Sequence, residues 1–246
     1  MPPAAAPQGT VTHLFAGAVR ALRSPRAPGR PPTAWKSAIL KTTIDGPVHV
    51  GPLGLAGDAQ HDRRWHGGPT KAVLCYAASH YAAWAPLAAA HLPTVADALA
   101  MLPADATFAP GAFGENVLLA GLDEATVCIG DAWRVGGCVL RVTEPRGPCG
   151  TLARRWAWPA LATHVRRTAR AGWYCAVDAP GPVAPGDAAT LVERLAPAWT
   201  IARVFMLLES RVAPAAEVRA LAEADGVHDA LRARLERRLA TPGRTR

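Results

Sequence analysis

The chain has 246 residues, the length of one large domain or of one domain with a small appendage. Half of the residues are hydrophobic and 53 of those are alanine, so about 70 larger apolar side chains remain to build a core; this excludes a disordered chain, and no run approaches the roughly 18 apolar residues of a membrane span. The net charge of +8 admits acidic ligands or partners, and it is local, because Arg146 to Arg170 holds six arginines and no acid.

The start, Met1 to Val11, is rich in Pro and Ala with no basic region ahead of an apolar one, so it does not read as a secretory leader and a cytoplasmic location without a membrane partner is expected. A first strand is predicted at Thr10–Ala16, and residues 21–35, with Pro25, Pro28, Pro31 and Pro32 among Arg and Gly, read as an exposed loop. Short strands are predicted at Ala38–Lys41, Val48–Val50 and Ala72–Tyr76, followed by a helix over Ala77–Ala90 that begins near Ser79. Further strands follow at Val117–Leu119, Thr126–Ile129, Ala132–Val135 and Val139–Thr143. A short helix just after Cys149, a helix over Trp158–Arg170, and strands at Trp173–Val177 and Ala189–Glu193 complete this part.

Gly57-Asp58, Gly130-Asp131 and Gly186-Asp187 each read as strand openers, Gly supplying a positive-φ turn and Asp tying its carboxylate to nearby backbone N–H groups. Many short strands bounded by Gly, Pro or Asp predict a mostly-β, closed or nearly closed barrel with peripheral helices over residues 1–196. At Pro197 the hydrophobic period changes. Trp199–Leu208, Ala215–Ala224 after Pro214, and Asp229–Leu239 predict a small three-helix domain over 197–246. Its net charge is only about +3, with no basic face on the third helix, which argues against a helix-turn-helix and against nucleic acid as a partner.

Five cysteines, an odd number with no CxxC pair, argue against both a disulfide framework and a zinc ribbon. Cys75, Cys128, Cys138 and Cys175 lie in apolar, strand-like stretches and read as small buried hydrophobes. Cys149 differs. It ends Glu144-Pro145-Arg146-Gly147-Pro148-Cys149, an irregular loop directly after a strand, and it stands where it opens a helix with Arg146, Arg154 and Arg155 close by. Such a position lowers a thiol pKa and provides a thiolate, which serves as a soft metal ligand or a nucleophile; the plainer alternative is a thiol that fills a gap under the loop.

A second cluster runs from Gly57 to Gly68 and packs Asp58, Gln60, His61, Asp62 and His66 into one loop, as in segments that line a pocket on a barrel rim. Zinc is disfavoured there, since His61, Asp62 and His66 lack a ligand spacing and a fourth partner, whereas Gly67 and Gly68 permit close backbone approach to an anion. Glu115 and Asn116, just before an apolar strand, either cap a turn or face the same pocket. Lys41 ends the segment Ser37–Lys41 and either holds a phosphate or is solvated.

In this order, Ser37-Ala38-Ile39-Leu40-Lys41, Gly57-Asp58-Ala59-Gln60-His61-Asp62, His66-Gly67-Gly68-Pro69-Thr70-Lys71, Phe113-Gly114-Glu115-Asn116, Ile129-Gly130-Asp131, the Cys149 loop and Gly172-Trp173-Tyr174 resemble the MOSC domain proteins of the YiiM type, associated with resistance to N-hydroxylaminopurine, from about residue 10 to 240. The resemblance implies a β-barrel with a helical C-terminal unit that binds the molybdenum cofactor, molybdopterin, with Cys149 as metal ligand. It also implies a reductase of N-hydroxylated bases and amidoximes that takes electrons from a separate flavoprotein or haem protein. On that reading Lys41, Gln60, Gly67, Gly68, Glu115, Thr143 and Arg146 hold the cofactor, while Asp58, His66 and Asn116 orient the substrate.

Two positions depart from the family pattern: Glu144 stands where Gln is usual, and Ala176 where Arg is usual. The first places a negative charge near an anionic cofactor, unfavourable unless an arginine pairs with it. Without metal, the same low-pKa thiol suits a sulfur-transfer domain carrying a persulfide on Cys149.

Overall fold

The computed structural model describes residues 7–24, 33–62, 66–96 and 107–240, and in it the short predicted strands close into a barrel. The strands are β1 (Gln8–Ala16), β2 (Arg20–Ser24), β3 (Thr33–Ser37), β4 (Thr42–Ile44), β5 (Val48–Gly51), β6 (Gly54–Leu55) and β7 (Val73–Ala77). After them come β8 (Val117–Ala120), β9 (Ala132–Val135), β10 (Cys138–Pro145), β11 (Trp173–Ala179), β12 (Gly181–Val183) and β13 (Ala188–Glu193). The order β13-β9-β10-β11-β7-β8-β1 returns to β13 through Gln8↔Thr190, which closes seven strands, and β4 extends β1 outside the ring.

Only β7 and β8 pair in parallel within this sheet. A parallel pair needs a crossover rather than a hairpin, and helix α1 (His80–His91), with its N-cap at Ser79, lies in that connection. Alternation sorts the side chains to the two sides of the wall. Leu14 and Cys75 belong to one apolar cluster, and their neighbours Phe15 and Tyr76 belong to another, with Trp84, Phe113, Trp156 and Trp158. The first cluster fills the space around Trp133, Leu140 and Trp173 and leaves only about 10 Å³, so among the described residues the barrel interior has no room for a ligand.

Three expected elements differ. Residues 21–35 are not one loop, because β2 and β3 form a hairpin from Arg20↔Ser37 to Ser24↔Thr33; Pro25, Pro28, Pro31 and Pro32 lie outside the described residues. Ala38–Lys41 is not a strand: Ala38, Ile39 and Leu40 are buried in succession, and the Ile39 carbonyl accepts from Arg155 Nη1 rather than from a neighbouring strand. Thr126–Ile129 is a turn in which the Asp123 carboxylate accepts from the Ala125 and Thr126 N–H groups, a local bond that competes with sheet pairing, and only Cys128 bridges to Thr200.

Gly130-Asp131 and Gly186-Asp187 precede β9 and β13 as expected, but Gly57-Asp58 opens no strand. Beyond the sheet lie α2 (Gly150–Arg155) with Cys149 as its N-cap residue, α3 (Ala160–Thr168), and the C-terminal α4 (Ile201–Glu209), α5 (Ala215–Glu223) and α6 (Asp229–Ala240). Thr200 caps α4 by accepting from the Arg203 N–H.

The buried faces of the last three helices, among them Ile201, Val204, Leu221 and Leu235, continue the barrel's first cluster. Their seat is close. A Cβ on Gly226 would lie 2.9 Å from the Gly130 Cα, so glycine at both positions lets the helical unit meet the β9 turn backbone to backbone.

Candidate active site

At the barrel rim a cavity of about 550 Å³ is bounded by Ser37–Lys41, the loop around Asp58–Asp62, the Phe113–Asn116 turn and the loop from Glu144 to Cys149. Trp35 of β3, Tyr174 of β11 and Arg234 of α6 complete its wall. Of the residues proposed from sequence, Cys149, Asp58, His66, Asn116, Lys41, Gln60, Gly67 and Arg146 converge here from segments more than 100 positions apart.

Cys149 is half-buried at the start of α2. Burial raises its thiol, but the Arg146 guanidinium, a hydrogen bond with His66 and the Leu152 backbone N–H outweigh that effect and bring it from 9.0 to about 6. Arg146 is buried, its Nη2 lies 3.8 Å from the Cys149 Sγ, and its Nη1 is buried with no partner among the described residues. The His66 Nδ1 stands 3.3 Å from the Tyr174 hydroxyl, whose own pKa burial pushes up to about 12, so this phenol keeps its proton at neutral pH.

Three other thiols behave differently. Burial raises the pKa of Cys128 and of Cys175 and raises that of Cys138 to about 12. In metal-free protein, iodoacetamide, which attacks thiolates, is therefore expected to label Cys149 first, with a rate that is half-maximal near pH 6 and falls below it as the thiolate is protonated. In Arg146→Ala the midpoint should move up towards 9.0; an unchanged midpoint would show that Arg146 does not set it.

Asp58 and Asn116 line the cavity with their polar atoms already engaged. Asp58 Oδ1 accepts from the Gly17 N–H at 2.9 Å, and Oδ2 accepts from Lys41 Nζ at 2.9 Å, Asn116 Nδ2 at 2.9 Å and Gln60 Nε2 at 3.3 Å. Asn116 Oδ1 accepts from the Leu74 N–H, and Nδ2 also donates to the Phe15 carbonyl. Both are positioning residues that fix Lys41 and Gln60 in the wall. Gly67 has φ +92 and touches Gln60, where a Cβ would lie 2.6 Å from Oε1, so glycine is what leaves space for the amide.

Glu115, Thr143 and Gly68 stand outside the wall among the described residues. Glu115 is fully buried and turns back on its own loop, accepting from Tyr81 Oη and from the Gly111 and Phe113 N–H groups. The Thr143 hydroxyl lies 2.6 Å from the Thr70 carbonyl and 3.0 Å from that of Tyr174, and so ties the 3₁₀ turn Pro69–Lys71 to β11. Gly68 is the N-cap residue of that turn, with φ +85.

Glu144 is in the wall, and its charge is met by Lys71 at 3.2 Å and Arg234 at 3.3 Å rather than by Arg146. Ala176 pairs with Arg141 on β10, away from the cavity. Trp35, Lys71, Arg154, Tyr174 and Arg234 are wall residues that the sequence reading did not select. Tyr174 was visible within Gly172-Trp173-Tyr174, and Arg154 within the arginine run, but Arg234 is 90 positions from its partner and carries no local signal.

The MOSC domain family matches residues 62–190. The chain is 35% identical over 164 residues to Protein YiiM of Escherichia coli (strain K12), a match covering 67% of each. The chain belongs to the MOSC family. It is also 36% identical over 176 residues to a protein named Reductase from Gibberella moniliformis, a match that covers 71% of this chain and 29% of that longer protein. The crystal structure of YiiM from Geobacillus stearothermophilus superposes with a TM-score of 0.70 at 27% identity, covering 94% of this chain and 99% of that one. YiiM from Escherichia coli gives 0.64 at 28% identity, covering 81% and 88%. The family match at residues 62–190 spans β7 to β12, the start of β13 and the Cys149 loop, while β1, Lys41 and Asp58 precede it. No helix among the described residues is long and apolar enough to cross a membrane.

Proposed function

We propose that this MOSC protein is a cytoplasmic, molybdenum-cofactor-dependent reductase of N-hydroxylated bases and amidoximes, supplied with electrons by a separate flavoprotein or haem protein. The observation that supports it most is the pair formed by Cys149 and Arg146: a low-pKa thiolate beside a buried guanidinium whose Nη1 has no partner among the described residues. The donor set fits the group. A thiolate is a soft metal ligand, Arg146 and Lys41 offer charge to an anionic metal–dithiolene and phosphate, and Gln60 and the half-buried Gly67 backbone offer the mixed donors and acceptors that a pterin edge requires.

When bound, the cofactor supplies oxygen-atom removal: two electrons and two protons convert N–OH to N–H and water. The chain's own part is binding and proton handling. Cys149 Sγ holds the metal, Arg146 keeps that sulfur anionic, and the Tyr174 hydroxyl with the His66 imidazole forms a proton-bearing pair at the same wall. Asp58 and Asn116 act on this reaction by holding Lys41 and Gln60 in place.

Protein made in a host that assembles the cofactor is expected to contain molybdenum and pterin, and with a chemical reductant to convert an N-hydroxylated base to its amine. Full metal occupancy with no turnover of any N-hydroxylated compound would overturn the reaction, and a persulfide on Cys149 without metal would point to sulfur transfer instead.

A further inference from the structure

A second cavity, of about 250 Å³, lies on the other side of the Leu40–Lys41 segment, and Lys41 is the one described residue common to both. Arg20, Arg155, Thr43 and Thr107 line it, and its described lining residues include no carboxylate. Arg155 is 5% exposed. Its Nη1 donates to the carbonyls of Ile39 and Gly111, both at 2.8 Å, and its Nε is buried with no partner among the described residues.

Those two carbonyls satisfy hydrogen bonds without neutralising the charge. Neither Arg155 nor Arg20 forms an ion pair among the described residues. Glu115 is the acid that acts on Arg155, but its oxygens are taken by Tyr81 Oη and by the Gly111 and Phe113 N–H groups. Burial accordingly lowers the Arg155 pKa to about 10, with Glu115 opposing only in part. A guanidinium kept out of water without a counter-charge is costly, and an anion in the adjoining cavity removes that cost.

We propose that this second cavity binds a small tetrahedral oxyanion of the phosphate class, held by Arg20, by the Arg155 guanidinium and by the Thr43 hydroxyl, which has no other partner among the described residues. Planar guanidinium forks match such oxygens in geometry as well as charge, and the volume leaves space for the anion with several waters. Occupancy also anchors the last turn of α2, the helix that Cys149 begins.

The test is calorimetric titration of the full chain with inorganic phosphate, sodium chloride being adjusted to keep ionic strength constant. Wild type is expected to bind phosphate with a site that Arg20→Gln weakens about tenfold and Thr43→Val a few-fold, since a charge-assisted hydrogen bond is lost in the first case and a neutral one in the second. Both side chains are at the surface, so these variants retain the fold. Lys36→Gln and Arg154→Gln, which alter the first cavity only, should leave this site within about twofold of wild type. Saturating phosphate should also raise Tm for wild type and much less for Arg20→Gln. Absence of binding, equal weakening by all four substitutions, or weakening by Lys36→Gln and Arg154→Gln alone would overturn the proposal. None of these readouts depends on turnover, so they stand apart from the reductase reading.

Discussion

Cys149→Ser is expected to remove the proposed reductase activity while leaving a folded chain. A serine hydroxyl does not ionise near neutral pH and is a poor ligand for a soft oxidised metal, so the loss should exceed the roughly 10²–10⁴-fold that a proton-delivering group contributes. The side chain is only half-buried and sits at the edge of the aromatic cluster, so no large core volume is lost. Metal content and rate, measured together, identify the role: Cys149→Ser should lose both, whereas His66→Gln should retain metal and lose part of the rate. Wild-type turnover in Cys149→Ser would rule out the ligand role. Loss of rate with metal fully retained would move Cys149 from metal binding to another step.

That Cys149 was legible in the sequence, and that its surroundings were not, has a physical cause. Two prolines and two glycines within Pro145 to Gly150 break regular structure between the strand and the helix, so the thiol had to leave the strand and meet the next helix, a conclusion that needs only local geometry. Asp58 was visible as part of a polar loop, but its role lies in partners that are 17, 41 and 58 positions away, namely Lys41, Gly17 and Asn116.

Glu115 shows the same limit in reverse. A carboxylate before an apolar strand looks available, and only the fold shows that it is occupied by Tyr81 and its own turn. The barrel was legible because strand after strand ends at Gly, Pro or Asp, while the β2–β3 hairpin was not, since its proline-rich connection masked two five-residue strands that carry Trp35 into the cavity wall. Charge balance at Glu144 was the least accessible: the cations that meet it come from the Pro69–Lys71 turn and from α6.

Asp58→Ala should destabilise the protein by about 3–5 kcal/mol, the range found when one member of a buried ion pair is removed. The Lys41 and Asp58 side chains are 7% and 1% exposed, so truncation leaves an ammonium with no counter-charge and little water. Burial already lowers the Lys41 pKa against the raising effect of Asp58, and without Asp58 that tendency has less to oppose it. The Gly17 N–H and Asn116 Nδ2 lose an acceptor as well, and Asn116 in turn holds β7 through Leu74 and β1 through Phe15. Urea unfolding measures the loss, and Asp58→Ala combined with Lys41→Met should recover much of it, because an apolar pair in place of a buried ionic one is close to neutral. A cost below about 1 kcal/mol for Asp58→Ala would mean that the pair is hydrated in solution. Activity should follow a different course. The double variant regains stability but not the ammonium proposed to meet the cofactor, so recovery of folding without recovery of rate separates the role of Asp58 in holding the rim from the proposed role of Lys41 in binding.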